Sequence, residues 1–146
     1  MTRRKRAIDE HYVRKASDET ISSSTTLQAD NELLFPVGIN ETWAFTICIL
    51  FNSGTTPDFR LDFESLPSGA AGNYTIVYAP TVQTSAALNN SLVVPGTGSD
   101  AMILLHGQVR TSAAAGNISL FWAQNTSNAG DTKVLADSIL MAWRVD

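Results

Sequence analysis

Residues Trp43 to Phe51 alternate with a period of two. Trp43, Phe45, Ile47, Ile49 and Phe51 fall on one side, and Ala44, Thr46, Cys48 and Leu50 on the other. Only an extended strand lines residues up this way, since a helix would scatter them around its circumference. Both sets are mostly apolar, so the pattern predicts a central strand covered on both faces. Asp58 to Ser65 alternates more sharply, with Phe59, Leu61 and Phe63 inward and Asp58, Arg60, Asp62 and Glu64 outward. That is the signature of a half-exposed antiparallel strand, its acids forming a solvated face.

The remaining chain reads as short apolar runs between turn residues. Glu32 to Val37 contains Pro36, which confines it to an edge or a strand end. Further strands are predicted at Tyr74–Ala79, Ser91–Val94, Ala101–Arg110 and Ile118–Gln124, then from Thr132 to Val145 as one bent strand or two. Gly107 marks a possible bulge, and residues 80–90 are polar and carry no clear period. Ser, Thr and Asn occupy 38 of 146 positions, whereas charged residues make up only 16%, which suits turns and outer strand faces better than exposed helix. These observations predict an all-β fold, an antiparallel β-sandwich or jelly roll of about eight strands. One domain accommodates them.

Charge divides the chain differently. Residues 1–15 hold Arg3, Arg4, Lys5, Arg6, Arg14 and Lys15 against Asp9 and Glu10 only. The other 131 residues hold four basic and twelve acidic side chains. Residues 1–29 therefore read as an extended basic arm and polar linker, and residues 30–146 as the sandwich body. Within the arm, residues 7–15 lack Gly and Pro and have the composition of a weak helix start, while Ser17 to Thr26 reads as linker. The six basic residues are the expected partner-binding set, meeting an acidic surface of another protein. Nucleic acid is a poorer fit, because the run is short, no aromatic is interleaved and the body is acidic.

No catalytic, cofactor-binding or metal-binding residues are predicted. His106 lies in an apolar strand with no recognisable nucleophile elbow around it. His11 and His106 are the only histidines, no Cys lies near either in the sequence, and they read as a poor metal site. Paired carboxylates of the kind that hydrolyse a surface polymer do not stand out. Cys48 is the single cysteine, which excludes an internal disulfide and reads as a buried, inert thiol. Trp43, Trp122 and Trp143 fall in strands and read as core, with one or two at a subunit interface. No apolar run reaches the ~18 residues of a membrane-spanning helix, and the basic start is not followed by the apolar segment of a secretion signal.

The stretch from Arg14 to Phe45 resembles a recurring segment of tailed-bacteriophage structural proteins. Its carrying residues are Arg14-Lys15, Ser17-Asp18-Glu19-Thr20, Ser24-Thr25-Thr26-Leu27-Gln28, Glu32-Leu33 and Glu41-Thr42-Trp43-Ala44-Phe45. Trp122-Ala123-Gln124-Asn125-Thr126-Ser127 is similar to a late strand and loop of the same module, and Ser138 to Val145 to its terminal strand. The resemblance implies a β-sandwich virion protein, commonly a homotrimer, on a capsid surface or in a tail fibre. On the residues themselves, no enzymatic activity and no cofactor are expected. The implied partners are further copies of the chain and the major capsid protein or another virion protein. The chain has no long shaft or collagen-like repeat and carries the basic extension. Both departures favour a small stand-alone accessory protein over a fibre; capsid decoration is the expected role, with a tail-fibre or tail-tip component that binds a host receptor as the alternative.

Overall fold

The structure is a computed structural model that describes residues 9–79 and 82–146. It contains twelve strands rather than about eight, and no helix among the described residues. In chain order they are β1 (Glu10–Arg14), β2 (Glu19–Ile21), β3 (Gln28–Val37), β4 (Thr42–Asn52), β5 (Phe59–Asp62) and β6 (Ala71–Tyr78). There follow β7 (Val82–Ala87), β8 (Leu92–Val94), β9 (Asp100–Arg110), β10 (Gly116–Gln124), β11 (Thr132–Val134) and β12 (Ile139–Arg144). All pairings are antiparallel. A large sheet runs β1-β12-β4-β9-β6-β7, with β11 also beside β4 and β2 outside β11, and a small sheet runs β3-β10-β5-β8. The two sheets form a sandwich, as the alternation predicts.

The core lies between the layers. Trp43, Phe45, Ile47, Ile49 and Phe51 are all buried, and so are Phe59, Leu61 and Phe63. Rings link the sheets in series. Phe35 of β3 lies 5.3 Å from Phe45 of β4, which lies 5.2 Å from Phe63, itself 5.3 Å from Tyr74 of β6. At the other end Phe51 meets Phe59 at 5.0 Å, and Phe59 stacks on Trp122 at 5.7 Å. Such pairs each contribute roughly 0.5–1.5 kcal/mol beyond the area they bury.

Glycine at 107 serves this packing. A Cβ there would lie 2.2 Å from the Phe45 ring. The register between β4 and β9 runs through Gly107 without a shift, so the predicted bulge at this position is corrected: glycine makes room for a ring. The irregularity lies between β3 and β10. Ala29 opposes Phe121 and Leu34 opposes Ser119, which leaves residues 30–33 facing Leu120 alone.

Several other expectations are corrected. Residues 10–14 and 19–21 are strands of the large sheet, paired with β12 and β11, so residues 9–29 do not form an arm outside the body. Neither a helix at 10–15 nor a linker across 19–21 is present. Intrinsic preference is weak there, and ladder hydrogen bonds to distant strands decide. The polar stretch after Pro80 contains β7, an edge strand with exposed and half-buried residues on both faces and therefore without a clear period. Asp62 is buried rather than solvated. It accepts hydrogen bonds from Ser91 Oγ at 2.7 Å and from the Glu64 amide at 3.1 Å. Burial raises its pKa above the ordinary value despite these bonds. The placement of β3 at an edge agrees with Pro36.

Candidate functional site

Of the six predicted partner-binding residues, Arg3, Arg4, Lys5 and Arg6 lie outside the described residues. Arg14 is exposed on β1 and pairs with Asp137, its Nε donating at 2.7 Å. Lys15 is 1% exposed and turned into the protein, which corrects its assignment to a partner surface. The structure does not gather Arg14 and Lys15 into one patch.

Lys15 instead anchors an internal ion cluster. Its Nζ lies 3.0 Å from Glu19, 3.0 Å from Asp30 and 3.4 Å from Glu32. The β3 irregularity turns Asp30 inward, as such features re-aim a side chain. Asp30 then accepts the amides of Glu32 and Leu33, each at 2.9 Å, and Trp122 Nε1 at 3.2 Å. Burial acts to raise the Asp30 pKa, but the two amides and Lys15 outweigh it and hold the carboxyl below its usual value. Burial acts to lower Lys15, but Asp30 and Glu19 hold it above its usual value. Glu19 is raised by burial and by the neighbouring Asp30. The cluster joins β1, β2, β3 and β10. Its cation is the Lys15 ammonium, and among the described residues no group of three or more His, Cys, Asp and Glu is arranged to hold a metal ion.

A cleft of about 600 Å³ opens where β6 and β9 meet the loops after β3 and β9. Asn40, Asn73, Gln108, Arg110 and Ser112 line it, and its walls hold no carboxylate, histidine or cysteine. A shallower groove brings His11 near Asp9, Glu10 and Glu41. Glu41 is committed to structure there. It accepts the Gly38 amide at 2.6 Å and Trp43 Nε1 at 2.9 Å, and it pairs with Arg144 at 3.0 Å. His106 is exposed, its Nδ1 3.0 Å from Thr46 Oγ1.

The broadest feature is the outer face of the large sheet. Pairing aligns Ile139, Cys48, Leu104 and Val77 in one row, and Met141, Thr46, His106 and Thr75 in the next. A third row holds Trp143, Ala44, Gln108 and Asn73. Met102 is 53% exposed, Ile139 40% and Trp143 38%. Cys48, Leu50, Leu104, Val77 and Met141 are half-buried. Two expectations are corrected here. No further layer of the described residues packs over this side of β4, where Thr46 is 8% exposed beside His106 and the other outward residues are only half-buried, and the Cys48 thiol is on the open face rather than in the core. Trp43 and Trp122 are core residues, whereas Trp143 lies on this face. The alternation of β4 carried the signal, because its even positions are as apolar as a covered face requires.

No family model matches the chain, and no curated protein matches it. Among solved structures, it is distantly similar to a chain in the structure of infectious bursal disease virus Gx strain. The TM-score is 0.31 at 7% identity, over 95% of this chain and 38% of that one. A chain in the structure of the Gt strain gives a TM-score of 0.24 at 11% identity, over 94% of this chain and 36% of that one. The chain thus spans less than two fifths of the viral chains it matches.

Proposed function

We propose that this chain is a virion structural protein of a tailed bacteriophage, a non-enzymatic capsid decoration protein that stabilises the shell as a homo-oligomer. The observation that carries this reading is the open outer face of the large sheet. A protein whose described residues leave the apolar outer face of a large sheet without a second layer is built to assemble with other proteins. The resemblance of Arg14 to Phe45, Trp122 to Ser127 and Ser138 to Val145 to phage structural proteins supports the same reading. In this role the sandwich sits on the shell, and Arg3, Arg4, Lys5 and Arg6 meet acidic groups of neighbouring capsid subunits. Each contact is weak, but contacts repeated within one oligomer become local to one another once the first has formed.

The test is occupancy on undecorated capsids against salt, for the wild type and for the replacement of Arg3, Arg4, Lys5 and Arg6 by Ala. The Debye length falls from ~10 Å at 0.1 M to ~3 Å at 1 M, so exposed pairs are screened. Wild-type occupancy should fall with salt, and the variant should bind weakly throughout. A wild type that ignores salt and matches the variant rejects docking through the basic residues. Copy number tests the placement: a number that scales with the shell lattice marks decoration, and one that follows tail symmetry marks a tail component.

A further inference from the structure

We infer that the outer face of the large sheet is the self-association surface of this protein and that its occupant is a second copy of the chain. The inference rests on the reading of the chain as an assembly component and adds which surface assembles and with what.

The argument begins with β4. Its outward residues Ala44, Cys48 and Leu50 are only half-buried, Thr46 between them is 8% exposed, and the described residues lay no second layer over them. The neighbours extend the surface rather than shield it. Leu104 flanks Cys48 on one side and Ile139 on the other, while Met102 lies beside Leu50. Along β12, β4, β9 and β6, from Ala44 to Leu50 and the outward residues paired with them, no Asp, Glu, Lys or Arg is present. Charge returns at the margin, at Glu10 and Arg14 on β1 and at Asp100 and Arg110 at the two ends of β9. A charge-depleted centre with a charged rim is how protein interfaces are arranged.

Area and charge select the occupant. Six strands at ~4.8 Å spacing give a face roughly 24 Å wide, and β4 from Ala44 to Asn52 extends it roughly 27 Å along the strands. That is about 650 Å² per copy and about 1,300 Å² for a facing pair, inside the range of specific protein contacts. A strongly charged partner surface would lose its hydration against this face and find no counter-charge there, which is costly. Another copy brings only apolar and neutral side chains to the centre. The chain's net charge of −4 then stays outside the contact.

Cys48 reports on the surface directly, because it is the only cysteine and lies in the middle of the face. Thiol labelling of the wild type with a small disulfide reagent should slow severalfold as protein concentration rises, in step with oligomer formation by analytical ultracentrifugation. Leu104→Glu and Met141→Glu, each tested singly, should sediment as monomers, keep a cooperative thermal transition and label at the fast, concentration-independent rate. The wild-type labelling curve stands alone if either variant fails to fold. A wild type that is monomeric at micromolar concentration overturns the inference. So does an oligomer in which Cys48 labels at one rate throughout, since its contacts must then lie elsewhere. A wild type that does not self-associate but binds capsids through this face, with binding lost in Leu104→Glu, also overturns it and leaves the decoration reading standing.

Discussion

Lys15 and Asp30 are the residues on which the first thirty positions depend. A buried ammonium and a buried carboxylate are each costly without the other, so removing one leaves an uncompensated charge. Lys15→Ala should therefore destabilise the protein by about 3–5 kcal/mol, read as a lowered midpoint in urea unfolding. The pair also sets a pH dependence whose sign follows from the directions of shift. Asp30 has its folded pKa lowered, so its contribution is present above the unfolded carboxylate value and is lost as pH falls through the folded one. Lys15 has its folded pKa raised, so its contribution holds below the unfolded value and is lost as pH rises through the folded one. Glu19 acts in the opposite sense to Asp30. Its folded pKa is raised, so its ionisation costs stability as pH rises above the ordinary carboxylate range. Unfolding free energy followed from neutral pH down to about pH 2 should fall less steeply in Asp30→Asn than in the wild type. An unchanged slope would show that Asp30 is not held below its usual value by the fold.

At the level of elements, β1 and β9 invite different tests. Removal of residues 1–15 deletes the β1–β12 ladder and Lys15 together and leaves Asp30 buried without its cation. Its cost should exceed that of removing residues 1–8 by at least about 3 kcal/mol, and hydrogen exchange should show new exposure of β12 amides. In β9, Gly107→Ala places a methyl against the Phe45 ring and should cost about 1–3 kcal/mol, as overpacking does. Combining it with Phe45→Leu should cost less than the sum of the two single changes, because the smaller side chain yields the space. The sequence was most legible where burial is one-sided. The periods of β4 and β5 located the inward faces, and Pro36 put β3 at an edge. It was least legible where a strand owes its existence to a partner far along the chain. The polar segments Glu10–Arg14 and Glu19–Ile21 have no apolar stripe of their own and are strands because β12 and β11 pair with them. Lys15 reads as part of a partner-binding basic arm for the same reason, since Asp30 reaches it only through an irregularity that no local pattern announces.

For the molecule as a whole, two series of aromatic rings hold the sheets in one packing arrangement, and the described residues lay no further layer over the outer face of the large sheet. The apolar even positions of β4 were visible in the sequence, but only the structure shows that no part of the described chain covers them. That β1 lies against β12 has a consequence for how the molecule is made. Glu10 pairs with Trp143, and the Asp9 carbonyl accepts the Arg144 amide at 2.8 Å. A ribosome translates the β1 residues long before their partner exists, so the first strand waits unpaired while more than a hundred residues are added. Contacts this distant in sequence slow folding, and the sandwich closes only after β12 has emerged. Moving β1 to follow β12 in a circularly permuted chain shortens that wait and should speed refolding in stopped-flow experiments. An unchanged rate would place β1 pairing after the rate-limiting step.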